Sequence, residues 1–402
     1  MFFVATPPTT PTVPQIFLAA LRLGCTSFGG PIAHLAYFRR DYVERRRWID
    51  EQHYADLVAL CQFLPGPASS QTGFGLGYLW RGWPGGLAAW LGFTLPSAAL
   101  MIAFALGAGK LSALLGIGWL HGLKLAAVAV VAQAVLAMWR SLAARWDSSL
   151  IVGLTAGTLV AAPLAGVQVA MIGFGAIFGF RYFRGLPRPT VRHGPEVATP
   201  RPLARSFVLL ALFCTLLVAL PALLRNTQNS PLLALADQCY RAGSLVFGGG
   251  HVVLPLLERE FVAPGGLTPE QFLAGYGAAQ ALPGPLFAFA TFLGASTHGV
   301  AGGMWATLWI FLPGLLLVAA VLPFWQTLRT DPRAQAALRG ANAAVVGLLL
   351  AALIHPIGTA ALGDWRDVAL AAAAFAALLV PRVPAWAVVA ACATAGFLMR
   401  SA

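Results

Sequence analysis

Residues Arg22 to Gly30 read RLGCTSFGG, and residues Arg241 to Gly249 read RAGSLVFGG, with Arg, Gly, Phe, Gly and Gly matched at an offset of 219. Gln62-Phe-Leu-Pro-Gly-Pro67 returns as Gln280-Ala-Leu-Pro-Gly-Pro285 at 218. Gly85, Gly86, Leu95 and Pro96 return as Gly302, Gly303, Leu312 and Pro313 at 217, and Lys124 falls opposite Asn342. Matches that keep their order within two residues of one offset mark two homologous halves.

Composition says where those halves sit. Of 402 residues 58% are hydrophobic and only 10% are charged, too few charges to cover a soluble surface. Apolar runs near 20 residues recur along the chain, and a bilayer needs each backbone group satisfied internally, so the spans are expected to be helices. The expectation is an all-α polytopic membrane protein of about 10–13 hydrophobic segments, some re-entrant or broken. The net charge of +12 fits arginines in cytoplasmic loops, and no nucleic acid is implied. The five cysteines form no C-x-x-C pair and read as small buried hydrophobes. The opening MFFVATPPTTPTVPQ lacks the basic region and cleavage site of a removable signal peptide, so a multi-pass inner-membrane location is expected.

The boundaries follow from charge and proline. Residues 184–205, rich in arginine and proline, read as a cytoplasmic linker between a first repeat over 1–183 and a second over 206–402. Residues 207–224 form one apolar helix without a counterpart, the simplest way to invert the second half. The loops agree. Arg39 to Arg47 is strongly basic where its counterpart holds Glu258, Arg259, Glu260 and Glu270. The loop after Pro96 has Lys110 alone, where its counterpart has Arg329, Arg333 and Arg339. The bias changes sides, as in an inverted-topology repeat. Leu57 to Leu79 keeps both ends cytoplasmic if it is a hairpin turning at Pro65-Gly66-Pro67, since two prolines around a glycine cannot sit in a continuous helix.

Broken helices in matched positions point to a transporter's binding site. The breaks are Gly29-Gly30, Pro65-Gly66-Pro67, Gly248-Gly249-Gly250 and Pro283-Gly284-Pro285. Helix N-termini there offer free N–H groups and positive dipole ends to an anion. Arg22 and Arg241, each seven residues before its double glycine, are expected to offer two guanidinium forks to a doubly negative oxyanion. Gln62, Gln280, Lys124 and Asn342 are further candidate ligands. His34 and His251, with the aligned pairs Arg40-Asp41 and Arg259-Glu260, are candidates for a proton relay or a gate. Each of these also has an ordinary packing or interfacial reading. Acidic residues are scarce inside the spans; Asp56 and Asp237 lie at their edges. No H-E-x-x-H motif, paired aspartates or metal-spaced cluster is present, so no enzyme, metal or cofactor is expected.

Thr26-Ser-Phe-Gly-Gly-Pro31 with Phe38-Arg-Arg40, the two Pro-Gly-Pro motifs, and Val246-Phe-Gly-Gly-Gly-His-Val-Val-Leu-Pro255 resemble the chromate ion transporter family in its long-chain, two-domain form, over nearly the whole chain. The resemblance implies an inner-membrane transporter that exports chromate and confers resistance, driven by the membrane potential or proton gradient. Chromate and sulfate are similar tetrahedral dianions, so sulfate uptake is an alternative substrate reading. An anion channel is a further alternative. The lipid bilayer is the other partner, and a homo-oligomer stays open.

Overall fold

The computed structural model describes residues 10–162, 164–183, 203–226, 230–262, 266–325, 328, 331–380 and 383–401. Most of the 184–205 linker, and Arg329, lie outside these described residues. Among the described residues there is no strand.

The first half runs α1 (Val13–Thr26), α2 (Gly30–Phe38), a π-helical turn (Arg39–Arg45), α3 (Glu51–Phe63), α4 (Ala68–Leu115), α5 (Gly118–Leu142), α6 (Trp146–Ala161) and α7 (Ala165–Tyr182). After α8 (Leu203–Asn226) the order repeats: α9 (Pro231–Ser244), a 3-10 turn (Gly250–Val252), α10 (Val253–Phe261), α11 (Pro269–Ala281), a 3-10 turn (Leu286–Ala288), α12 (Phe289–Val321), α13 (Pro332–Ala352), α14 (Trp365–Leu378) and α15 (Ala385–Ser401). Five of the described helical stretches are long and apolar enough to cross a membrane: Ala68–Leu115, Gly118–Leu142, Ala204–Arg225, Leu286–Phe324 and Pro332–Ala361.

Local signals start and stop these helices. Thr12 and Gln15 form a capping box at α1, and Thr268 and Gln271 form another at α11, where they satisfy N–H groups the helix cannot use. Asp50 caps α3 through the amides of Gln52 and His53.

α4, at 48 residues, would be about 72 Å long if straight, more than twice the hydrocarbon core. It is instead two helices. Arg81 (φ −139°, ψ 22°) and Gly82 (φ 60°, ψ −148°) leave the helical region, and the chain folds back so that Gly77 meets the Gly85 carbonyl and Gly85 meets the Gly77 carbonyl. α12 repeats this at His298 (φ −135°, ψ 23°) and Gly299 (φ 63°, ψ −159°), with Gly294 against Gly302. A side chain at any of these four glycines would hold the two backbones apart.

The Pro-Gly-Pro segments turn the chain as well. A Cβ on Gly75 would lie 2.9 Å from Leu57 Cδ1. In one continuous helix those residues would be about 27 Å apart, so α3 and the start of α4 are antiparallel around Gly66. Gly275 against the Phe292 ring makes the same hairpin of α11 and α12. The glycine breaks also fold back: Gln238 Nε2 donates to the Glu260 carbonyl at 3.1 Å, across the turn at Gly249.

The hairpins return to the face they entered from. In the first half α4 and α5 are long and apolar enough to cross, and α6 and α7 are shorter apolar helices. α8, apolar and long enough to cross over Ala204–Arg225, stands between the two halves. The halves then exchange helices. α5 packs on α15 and α14, while its counterpart α13 packs on α7 and α6. Glycines bring these axes together: Gly122 lies on the Cys392 carbonyl, and Gly175 and Gly340 on each other's carbonyls.

Candidate substrate site

The four breaks interlock across the two halves. The Gly66 amide donates to the Val246 carbonyl at 2.7 Å, and the Gly284 amide donates to the Ser27 carbonyl at 3.0 Å. Each Pro-Gly-Pro turn of one half thus seals a carbonyl left open by the glycine break of the other. Gln71 Nε2 adds bonds to the Pro65 carbonyl at 2.9 Å and the Gly314 carbonyl at 3.2 Å.

Beside this crossing is a cavity of about 420 Å³, lined by Gly29, Gln62, Gly66, Gln133, Ser141, Gly248, Gly249, Gly250, His251 and Asn342, among others. Three helix starts border it. α2 begins after Gly29, which is left-handed at φ 98°. The first part of α4 begins at Ala68, after Pro67. The 3-10 turn that leads into α10 begins at Gly250. Each start has N–H groups without a helical acceptor and about half a positive charge. Gln62 and Asn342 bring amides, Ser141 a hydroxyl, and the Asn342 Oδ1 is buried without a hydrogen-bond partner among the described residues. His251 Nδ1 pairs with the Tyr276 hydroxyl at 2.8 Å. Among the described residues no lysine or arginine lines the cavity.

The expected pair of guanidinium forks is not assembled there. Arg241 Nη2 is held by Asp237 at 2.7 Å and Glu260 at 3.0 Å, because a carboxylate one turn earlier and another across the hairpin both face it. Arg22 lacks the first of these, as residue 18 is Leu. It lines a separate cavity of about 640 Å³ with Arg40, Asp41 and Glu44. The two arginines are repeat partners in sequence but not in environment.

The remaining candidates divide. Gly30, Pro65 and Pro67 flank the cavity, as chain neighbours of its lining residues. Pro283, Gly284 and Pro285 are not in its lining, and Gly284 acts through Ser27. Gln280 Nε2 is buried and unpartnered among the described residues. His34 is buried, 3.4 Å from Ser69 Oγ and edge-on to Phe93. Asp41 is bound not by Arg40 but by Arg46 at 2.6 Å and Arg45 at 3.5 Å. Glu260 belongs to Arg241, and Arg259 lines a cavity of about 280 Å³ near His355. Lys124 is buried, not interfacial, and lines a cavity of about 610 Å³ with His121, Glu270 and Gln271. The repeat partners Lys124 and Asn342 therefore face different cavities.

Sequence reading missed Gln133, Ser141 and Gln71, polar residues on apolar helices; Gln71 and Gln133 fall opposite Phe289 and Ala351 in the repeat, so no match drew attention to them. It also missed a buried carboxylate. Asp367 is 5% exposed and accepts from His121 Nε2 at 2.6 Å. Asp237 is also buried; its i, i+4 spacing to Arg241 was a signal that the pair is structural.

The chromate transporter family model matches residues 14–180 and 233–397, one match per half. A chromate transport protein of Pseudomonas aeruginosa is 30% identical over 362 residues, 87% of this chain and 82% of that protein. A probable chromate transport protein of Synechococcus elongatus is 28% identical over 340 residues, 83% and 82% of the two chains. One from Cupriavidus metallidurans is 27% identical over 364 residues, 87% and 84%. No solved structure matches the chain. Two family matches in tandem, on two hairpin-built halves that share one set of breaks, make this multi-pass membrane protein a member of the chromate transporter family.

Proposed function

We propose that the protein is a secondary-active transporter that exports the chromate dianion across the inner membrane and so confers chromate resistance. One observation carries this reading: three helix N-termini, contributed by both halves, border a single cavity that no side-chain cation among the described residues enters. A tetrahedral dianion there accepts hydrogen bonds from free backbone N–H groups and from Gln62 and Asn342, with the dipole ends supplying the balancing charge. A site without a fixed cation binds a dianion without trapping it, which suits turnover. The site is built across the repeat interface, where a rocking of one half against the other changes which face it opens to.

Arg140 and Arg145 stand at the end of α5 nearest Ser141, so the positive-inside rule makes the cavity's Ser141 side cytoplasmic. Chromate would enter from there. Nothing in the lining separates chromate from sulfate, so sulfate is expected to compete.

The test is uptake of labelled chromate into inverted membrane vesicles, with and without excess sulfate, and with the proton gradient collapsed. Energised accumulation that sulfate inhibits is the expected result. No accumulation there, with sulfate uptake into right-side-out vesicles, makes the protein an importer. Flux that only follows the electrochemical gradient makes it a channel.

A further inference from the structure

His121 and Asp367 form a buried pair that plays no part in the anion cavity. His121 is on α5 in the first half and Asp367 on α14 in the second, and each is 5% exposed. The Asp367 carboxylate accepts at both oxygens: from His121 Nε2 at 2.6 Å on Oδ1, and from the Gly363 amide at 2.9 Å on Oδ2. An Nε2–H donates to the carboxylate in the neutral and in the charged imidazole alike, so Nδ1 is the ring atom at which a proton can come and go. His121 Nδ1 is buried and without a hydrogen-bond partner among the described residues. His121 as a residue is in the lining of the cavity of about 610 Å³, with Lys124, Glu270, Gln271, Ser112 and Ser296, while Nδ1 itself exposes almost no surface.

This cavity lies at the opposite end of α5 from the anion cavity. His121 and Ser141 are 20 positions apart on one helix, about 30 Å along its axis. Since Ser141 is at the arginine-rich end, His121 faces the external side. The pair is also not repeated. The counterpart of His121 is Arg339 and that of Asp367 is Ser148. The glycine and proline breaks occur in both halves; this pair occurs on one face only, as a directional device must.

We propose that His121 Nδ1 is the proton-binding atom of a coupling site opening to the external side. The neutral imidazole takes one proton from that phase and becomes an imidazolium; no other bond is made or broken. Asp367 holds the other ring nitrogen, and Lys124 lies one turn further along α5 in the same cavity lining. The other titratable groups around it are Glu270 on α11, Asp364 at the start of α14 and Cys392 on α15 against Gly122; α12 and the lining part of α4 bring Ser296 and Ser112, which do not titrate. α5 carries His121 at one end and the Gln133 and Ser141 lining of the anion cavity at the other, so a change in how α5 sits on α14 reaches both. The proposal rests on the chromate reading above, and adds to it a residue and a side for the driving proton.

The experiment uses the full-length protein in proteoliposomes, with two readouts. Chromate exchange at equal pH on both sides measures transport without coupling. Net chromate flux under an imposed pH gradient, with a trapped pH dye, measures coupling. His121→Gln is expected to keep exchange while its response to the gradient falls at least about tenfold. Asp367→Asn, which keeps the imidazole but removes its counter-charge, is expected to move the pH midpoint of the response. If His121→Gln exchanges chromate and keeps the full gradient response, the coupling role is overturned and the chromate reading stands. A His121→Gln protein too unstable to reconstitute leaves the decision to Asp367→Asn, where an unmoved midpoint overturns the role. A wild type that exchanges no chromate rejects the chromate reading, and this role with it.

Discussion

The Gly66 amide donates to the Val246 carbonyl at 2.7 Å, joining the Pro-Gly-Pro turn of one half to the glycine break of the other. Its repeat image, Gly284 to Ser27 at 3.0 Å, makes the contact reciprocal. Both amides belong to glycines with positive φ, 127° and 101°, where a side chain is strained. A Cβ on Gly66 would lie 2.8 Å from Gln71 Nε2 and 3.2 Å from Gly314 Cα; one on Gly284 would lie 2.8 Å from Ser97 Oγ. Gly66→Ala and Gly284→Ala are each expected to cost about 1–3 kcal/mol of stability and to abolish most transport. Thermal unfolding in detergent and vesicle uptake check this; an active Gly66→Ala protein removes the interlock from the mechanism.

The polar lining of the anion cavity should control affinity. Gln62→Ala and Asn342→Ala each remove a neutral hydrogen-bonding group beside a charged ligand, where such a bond contributes about 1.5–3 kcal/mol. Apparent chromate affinity is expected to fall by about tenfold or more in each. Arg22→Gln, whose side chain lines another cavity, is expected to leave that affinity unchanged. Concentration dependence of initial uptake separates the three.

Arg241 has a different expected phenotype. Its removal leaves Asp237 buried without its partner, a cost of about 1–3 kcal/mol. Arg241→Gln should therefore lower the amount of folded protein in the membrane, with near-normal affinity in what remains. Adding Asp237→Asn should restore part of the yield. A low-affinity, well-expressed Arg241→Gln protein would return this arginine to the substrate path.

The hairpins of α4 and α12 depend on bare backbone contact. Gly77→Val and Gly302→Val would each force a side chain into a facing carbonyl. Overpacking of this kind costs about 1–3 kcal/mol and often more. Both are expected to be recovered mainly as aggregate in detergent size-exclusion profiles, and a pair of normally folded variants would mean that the two segments do not close on each other.

The Ser141 side of the cavity should be reachable from the cytoplasm. Ser141→Cys, in a protein otherwise free of exposed cysteines, is expected to react with an impermeant maleimide in inverted vesicles and less so in right-side-out cells. Chromate should slow the reaction. Faster labelling from the outside would reverse the orientation assigned here.

The duplication, the helical class and the break positions were all legible in sequence, because each rests on local chemistry. Glycine and proline break helices wherever they stand, apolar runs enter a bilayer, and a tandem copy keeps its offset. The hairpin at Gly66 was likewise readable from Pro-Gly-Pro. The turn at Arg81-Gly82 was less so: neither residue forces a reversal, and only the facing glycines at 77 and 85 make one fit.

What the sequence could not supply was which matched residues share an environment. Arg22 and Arg241 align, yet the one has Leu18 where the other has Asp237, and that single difference ties Arg241 into an ion pair. Lys124 and Asn342 align, yet they line different cavities. His121 and Asp367 are 246 residues apart and share no motif. The exchange of α5 and α13 between the halves brings them together. Helix breaks and membrane insertion are decided by neighbours along the chain, whereas partners across a membrane interior depend on how the two halves pack, which only the tertiary structure decides.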